Sequence, residues 1–195
     1  MSNPAFRLNI QAMMVLMLAL CGLAGAAVAA TPAEQRSEIQ KMRRDTLAQL
    51  YKVHPAAQAS IQKAAGYAVF SNVGVNLVFL SVAGGSGVAH DNKSGRDTYM
   101  KMVSGGVGFG LGVKDFRGVF VFSTADKLNQ FVNSGWEASA QADAAAKAGD
   151  KGGAVAGAVT VAPGVSLYQL TENGLALQAT IQGTKYFKDD DLNAK

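Results

Sequence analysis

The stretch "SGGVGFGLGV", residues 104–113, governs how the whole chain is interpreted, because its glycines could either cradle a phosphate or shape a sheet. A dinucleotide-binding loop needs G-x-G-x-x-G between a strand and a helix, and a P-loop needs G-x-x-x-x-G-K-[ST]; neither spacing is present. Four of the glycines fall on every second position, at Gly106, Gly108, Gly110 and Gly112, and the residues between them are apolar. This period of two predicts a β-strand with one bare face, typical of strong curvature or of close packing against a ring, helix or backbone.

The neighbouring segments have the composition of further strands. They are rich in β-branched and aromatic residues and are separated by Gly, Asn, Asp and Ser, which predicts consecutive antiparallel strands. The segments are "GYAVFSNV", "VNLVFLSVAGGSGVAHD", "DTYMKMVSGGVGFGLGV" and "GVFVFS". Near the end of the chain, "VSLYQLTENGLALQATIQG" predicts two strands joined by Asn173-Gly174, a strong hairpin signal.

Helices are predicted on both sides of these strands. Thr31-Pro32 begins a helix that runs toward Tyr51, His54-Pro55 ends it, and a shorter helix follows over about 55–65. Ser123-Thr124 begins a third helix over 124–134, which Gly135 ends. The predicted fold class is therefore α+β: a strongly curved, barrel-like antiparallel sheet with an N-terminal amphipathic helix pair and one further helix near 124–134.

The segment 137–147 is left open between helix and strand. Its alanine content favours a helix, whereas the alternation of alanine with polar residues favours a strand.

The first 30 residues have the layout of a signal peptide. A basic Arg7 precedes an uncharged apolar stretch that ends in Ala27-Val28-Ala29, which predicts cleavage near Ala29 or Ala30 and a periplasmic or secreted protein. An uncleaved membrane anchor is the first alternative, but the second half of the stretch is rich in Ala and Gly. Lipidation at Cys21 is the second, but Leu20 is large for the residue before a lipidated cysteine.

The remaining chain, 31–195, is predicted to be one domain with a helical part over 31–65 and a mainly β part over 66–188. The full chain carries a net charge of +4, and loss of Arg7 leaves about +3. This is too little to indicate nucleic acid binding, but it suits an anionic membrane surface.

No constellation in the sequence predicts catalysis, a cofactor or a metal site. The cysteine leaves with the signal peptide, and His54 and His90 are expected to be solvated or locally hydrogen-bonded. Residues 189–191, an acidic run near the end, lack the spacing of a calcium loop and are expected to be a solvated tail. Trp136 is expected to be a core anchor.

The predicted first helix is amphipathic and basic. Its apolar positions fall near helical spacing, and its charge comes from Arg36, Lys41, Arg43, Arg44 and Lys52. Two compatible interpretations are a surface helix packed on the core and a helix whose basic face touches lipid headgroups.

Five segments, in order, resemble the SYLF domain, a lipid-binding family of bacterial secreted proteins and of eukaryotic proteins that couple phosphoinositides to actin. They are "KAAGYAVFSNVG", "GGSGVAHD", residues 104–113, "TADKLNQFVNSGWE" and "LYQLTENGLALQATIQG". The resemblance covers essentially all of 31–195, with departures at Ser71 and at "KAGDKGG". It implies that 137–147 is a strand and that the basic helix contributes to lipid binding. Phosphatidylglycerol and cardiolipin are the expected lipids; an actin partner is not expected.

Two function classes follow. The first is a non-catalytic module that binds anionic phospholipid through Arg36, Lys41, Arg43, Arg44 and Lys52. The second is a structural or protein-interaction module of the bacterial cell envelope, with an envelope protein as partner.

Overall fold

The computed structural model describes residues 30–72, 83–104, 117–137, 157–171, 174–176 and 184–194. Two helices come first: α1 over Pro32–Val53 and α2 over Ala56–Lys63. The break at His54-Pro55 is where the sequence predicts it, because proline pushes the preceding residue out of the helical conformation. Helix α3 spans Ala125–Ser134; the Thr124 side chain accepts a hydrogen bond from the backbone N–H of Lys127, and Gly135 ends the helix at φ 71°. All three predicted helices are confirmed.

Nine strands of the described residues form one antiparallel sheet. The strands are β1 (Gly66–Ser71), β2 (Ala83–Asp91), β3 (Asp97–Ser104), β4 (Arg117–Phe122), β5 (Trp136–Glu137), β6 (Val159–Ala162), β7 (Val165–Thr171), β8 (Gly174–Ala176) and β9 (Thr184–Lys188). Their order across the sheet is β5-β9-β3-β2-β1-β4-β7-β6, and β8 pairs with β7. The sheet curls into a half-barrel, which confirms the predicted α+β class.

The first four strands have Greek-key order. Strand β4 returns to pair with β1, so that the order across the sheet is β3-β2-β1-β4, and Ser71 lies opposite both Ser86 and Arg117. The parts of the predicted strands that lie within the described residues are thus confirmed. The alternating-glycine stretch 104–113, apart from Ser104 at the end of β3, and the undecided segment 137–147, apart from Glu137 in β5, lie outside the described residues.

Helices cover both faces of the sheet, so the strands read as continuous apolar runs. On one face, α3 packs over an aromatic cluster that includes Phe70, Phe120 and Phe122 of the strands. On the other face, α1 and α2 cover residues that include Val69, Val119 and Tyr168. The five residues from Gly118 to Phe122 in β4 are all buried for this reason.

Strand β2 shows how glycine serves this packing. A side chain at Gly87 would collide with the ring of Phe70 on the neighbouring strand, and one at Gly85 would collide with Ser71 and Met102. The absence of side chains therefore lets the aromatic cluster lie directly against the backbone.

Two expectations near the C-terminus need correction. The predicted turn at Asn173-Gly174 is one residue too late, because the register pairs Gly174 with Thr171 and Gly174 is already in β8. The acidic run is solvated only in part: Asp190 and Asp191 are exposed, but they lie in a folded helix rather than in a tail. Asp189 is buried, accepts a hydrogen bond from the Leu192 N–H at 3.2 Å and so begins a short helix α4 over Asp190–Asn193. Lys101 Nζ lies 3.0 Å from the Asp189 carboxylate, and Leu192 packs in a cluster with Ile39.

Trp136 lies at the edge of the aromatic cluster. It is half-buried, and its ring contacts Phe120 at 5.7 Å and Tyr186 at 5.8 Å between centroids. The expected anchoring role is confirmed, at the rim of the core.

Candidate functional site

Helix α1 presents its apolar stripe to the sheet and three of its cations to solvent. Ile39, Thr46 and Leu50 are buried, and Met42 and Leu47 pack against the core beside them. The opposite side of the helix is exposed and carries the cations Lys41, Arg44 and Lys52. We call these three residues the outer face of α1.

One flank of α1 is fixed to the sheet by a polar cluster around Asp97. Arg43 Nη1 donates to Asp97 Oδ1 at 2.8 Å, and Gln40 Nε2 donates to Asp97 Oδ2 at 2.8 Å. His90 Nδ1 lies 2.6 Å from Asp97 Oδ1, and Gln40 also donates to the Tyr99 hydroxyl at 3.1 Å. The Arg43 side chain is only 19% exposed, so its charge is directed at Asp97.

The other flank of α1 meets the first residue of strand β4. Arg117 Nη1 donates to Gln49 Oε1 at 2.6 Å. Asp45 lies one turn before Gln49 on the helix, and Lys41 Nζ, one turn earlier still, donates to Asp45 Oδ2 at 2.6 Å, with both side chains largely exposed. The hydrogen bond from Lys41 lowers the pKa of the Asp45 carboxyl, and the positive charges of Lys41, Arg44 and Arg117 lower it further.

Arg36 faces the C-terminal segment. Its Nη2 lies 3.5 Å from the Ala194 carbonyl oxygen, and its Nε is buried without a hydrogen-bond partner among the described residues. The guanidinium is therefore half-buried at the contact between α1 and the residues after β9.

The five basic residues singled out from the sequence thus divide into two sets. The structure brings Lys41, Arg44 and Lys52 together on the outer face, whereas it places Arg43 in the Asp97 cluster and Arg36 beside Ala194. Sequence reasoning missed Arg117 and Asp45. The spacing of Lys41 and Asp45 is a recognisable i,i+4 signal, but nothing local connects Arg117 to the helix.

Neither histidine lies on the outer face. His90 is bonded to Asp97, as expected of a locally hydrogen-bonded histidine. His54 packs on the Tyr168 ring with centroids 5.8 Å apart, and its Nε2 is buried with no hydrogen-bond partner in the described part of the chain. Burial raises the pKa of the Tyr168 hydroxyl, and the Ser60 hydroxyl partly opposes this. The expectation is therefore confirmed for His90, whereas it is wrong for His54, whose ring is half-buried against Tyr168 rather than solvated.

Neither a metal site nor a helix that could span a membrane occurs among the described residues. No group of three or more His, Cys, Asp or Glu side chains there could hold a metal ion. No helix in the described ranges is both long enough and apolar enough to cross a membrane.

No protein-family model matches the chain. The chain is similar to Beta cell expansion factor A of Aeromonas veronii, with 36% identity over 162 residues. The similar region is 83% of this chain and 60% of the relative, so the chain spans less than two thirds of that protein's length.

Proposed function

We propose that the protein associates with anionic phospholipid surfaces through the outer face of α1, while the helix stays packed on its sheet. The observation that carries the proposal is the division of α1: its apolar stripe is buried against the sheet, and Lys41, Arg44 and Lys52 point away from it. Contact with lipid would then be electrostatic and confined to the headgroups, because the helix has no free apolar stripe to insert.

The expected binding is weak and reversible. Each Lys or Arg near an anionic leaflet contributes about 1 kcal/mol, so the three cations of the outer face contribute about 3 kcal/mol. That sum corresponds to a dissociation constant of roughly 6 mM. The ion pair between Lys41 and Asp45 does not prevent this, since exposed pairs of this kind are worth at most about 1 kcal/mol.

The resemblance to the SYLF family supports the same proposal. In that family a basic N-terminal segment contributes to lipid binding, and α1 is the matching segment here. The proposal includes export to the periplasm or the exterior after cleavage near Ala29 or Ala30, where phosphatidylglycerol and cardiolipin are the available anionic lipids.

Cosedimentation with vesicles tests the proposal. Phosphatidylcholine vesicles and vesicles that also contain phosphatidylglycerol are compared at about 0.1 M and about 1 M salt, between which the Debye length falls from about 10 Å to about 3 Å. We expect binding to the anionic vesicles alone, and its loss at the higher salt. Salt-independent binding to a protein from the cell envelope, with no vesicle binding, would favour the protein-interaction alternative.

A second candidate function comes from the relative's name. Beta cell expansion factor A is named for an effect on beta cells, and 36% identity over most of this chain makes the same effect a proposal here. The test is to count beta cells after exposure to the purified protein. A variant with Lys41, Arg44 and Lys52 changed to Gln then shows whether the effect depends on the outer face.

A further inference from the structure

The Asp45 carboxylate lies among three cations from two different elements. Lys41 precedes it by one helical turn and donates to it at 2.6 Å, and Arg44 is its neighbour in the sequence. The third cation, Arg117, comes from strand β4 on the sheet below. One direct ion pair and two further cations whose charges reach the same carboxylate make this a basic patch of the kind that binds anions.

The position of Arg117 is fixed by its contact with Gln49. The guanidinium bonds Gln49 at 2.6 Å, and Gln49 is one turn beyond Asp45 on the same side of α1. Side chains four residues apart on a helix have Cβ atoms about 5–6 Å apart, so Gln49 holds the Arg117 guanidinium within about one helical turn of Asp45. The lowered pKa of Asp45, to which Arg117 contributes, agrees with this placement.

We propose that Lys41, Arg44 and Arg117 form a binding site for a phosphate ester, and that the Asp45 carboxylate occupies this site in the free protein. The proposal rests on the proposed function, since the phosphate ester it commits to is the phosphodiester of an anionic lipid headgroup. A phosphate offers more acceptor oxygens than a carboxylate, and the planar guanidinium of Arg117 can bind two of them at once. Asp45 then acts as an internal competitor that keeps lipid affinity low.

The simpler alternative is that Asp45 only adds negative charge near a basic surface. The chain offers a matched control in Glu38, an exposed acid on the same helix seven residues earlier. Glu38→Gln removes the same charge from α1 as Asp45→Asn does, but it does so away from Arg117.

The experiment measures the affinity of the full chain for vesicles of phosphatidylglycerol and phosphatidylcholine in a phosphate-free buffer. We expect the vesicle affinity of Asp45→Asn to be about threefold higher than that of Glu38→Gln. A factor of this size corresponds to the free energy of one exposed ion pair. We also expect that extra gain to vanish when Arg117→Gln is added. Because Arg117 is half-buried, Arg44→Gln in the Asp45→Asn background serves as a second variant that leaves the sheet untouched.

Equal gains for Asp45→Asn and Glu38→Gln would overturn the site while leaving lipid binding intact. A gain that persists without Arg117 and without Arg44 would overturn it as well.

A second arm separates the site from the lipid. Inorganic phosphate is titrated into the wild type and into Asp45→Asn, and the NMR signals of the arginine side chains are followed. Saturable shifts at Arg117 that are stronger in Asp45→Asn support the site even where vesicles do not bind, in which case the lipid proposal alone fails. The absence of shifts in both proteins would overturn the site.

Discussion

Arg43 and Arg44 are adjacent in the sequence but have opposite roles in the structure, so changing each to Gln should separate stability from membrane contact. Arg43 is 19% exposed and bonds Asp97 at 2.8 Å, whereas Arg44 is exposed on the outer face. Both changes remove one positive charge and keep a polar side chain of similar length. We expect Arg43→Gln to destabilise the fold and Arg44→Gln to leave it nearly unchanged.

The magnitude for Arg43 follows from its contact. A hydrogen bond between charged groups contributes about 1.5–3 kcal/mol, and Asp97 would keep its bonds to Gln40 and His90. We therefore expect Arg43→Gln to lower the free energy of unfolding by about 1.5–3 kcal/mol. In a domain of this size each kcal/mol lowers Tm by about 2–4 °C. Arg44→Gln should change the free energy of unfolding by less than about 0.5 kcal/mol.

Urea unfolding followed by circular dichroism measures both values. Asp97→Asn and the double variant Arg43→Gln/Asp97→Asn complete a cycle, which isolates the coupling between the two side chains. Equal stability of the Arg43→Gln and Arg44→Gln variants would refute the assignment of Arg43 to the sheet.

Four other results are expected. Burial raises the pKa of the Tyr186 hydroxyl, so above about pH 10 the unfolded chain loses a proton that the folded chain retains. The free energy of unfolding should therefore fall by about 1.4 kcal/mol per pH unit above pH 10. Urea unfolding on either side of that pH should show a smaller fall for Tyr186→Phe. Gly157 has φ 80°, and a Cβ there would lie 2.9 Å from His54 Cε1, so Gly157→Ala should lower the free energy of unfolding by at least about 1–2 kcal/mol. Equal thermal stability of the variant and the wild type would contradict this. Leu192 is 4% exposed against Ile39 and Val88, and Leu192→Ala should cost about 2 kcal/mol in the same assay if α4 belongs to the fold. Mass spectrometry of the exported protein should show a chain that begins near residue 30, and a lipid-modified Cys21 would contradict the predicted cleavage.

The helices could be predicted from the sequence because their signals are local. The proline after His54, the threonine cap of α3 and Gly135 all act within one turn of the residues they affect. Antiparallel strands were predictable for the same reason, through alternation and turn residues. The order of the strands was not, since the return of β4 to β1 depends on contacts between residues about 50 positions apart.

The acidic run shows the limit of local reasoning. As isolated sequence, residues 189–191 have the composition of a solvated tail, but Lys101 on β3 and the cluster around Ile39 give Asp189 and Leu192 buried partners. Neither partner is near them in the sequence.

The division of the basic residues was partly predictable. Arg43 lies four residues after Ile39 and seven before Leu50, so helical periodicity already places it near the buried stripe. Treating all five cations as one face concealed this difference. By contrast, the contact between Arg117 and α1 could not be predicted from sequence, because its hydrogen bond to Gln49 depends on how α1 packs on the sheet.

Binding to anionic vesicles, compared between two variants, tests the central claim most directly. One variant carries Lys41→Gln, Arg44→Gln and Lys52→Gln, and the other carries Arg43→Gln alone at a temperature where it remains folded. If the outer face meets the membrane, the triple variant should lose about a hundredfold in affinity, and Arg43→Gln should stay within about fivefold of the wild type. Equal affinities for the triple variant and the wild type would contradict the account.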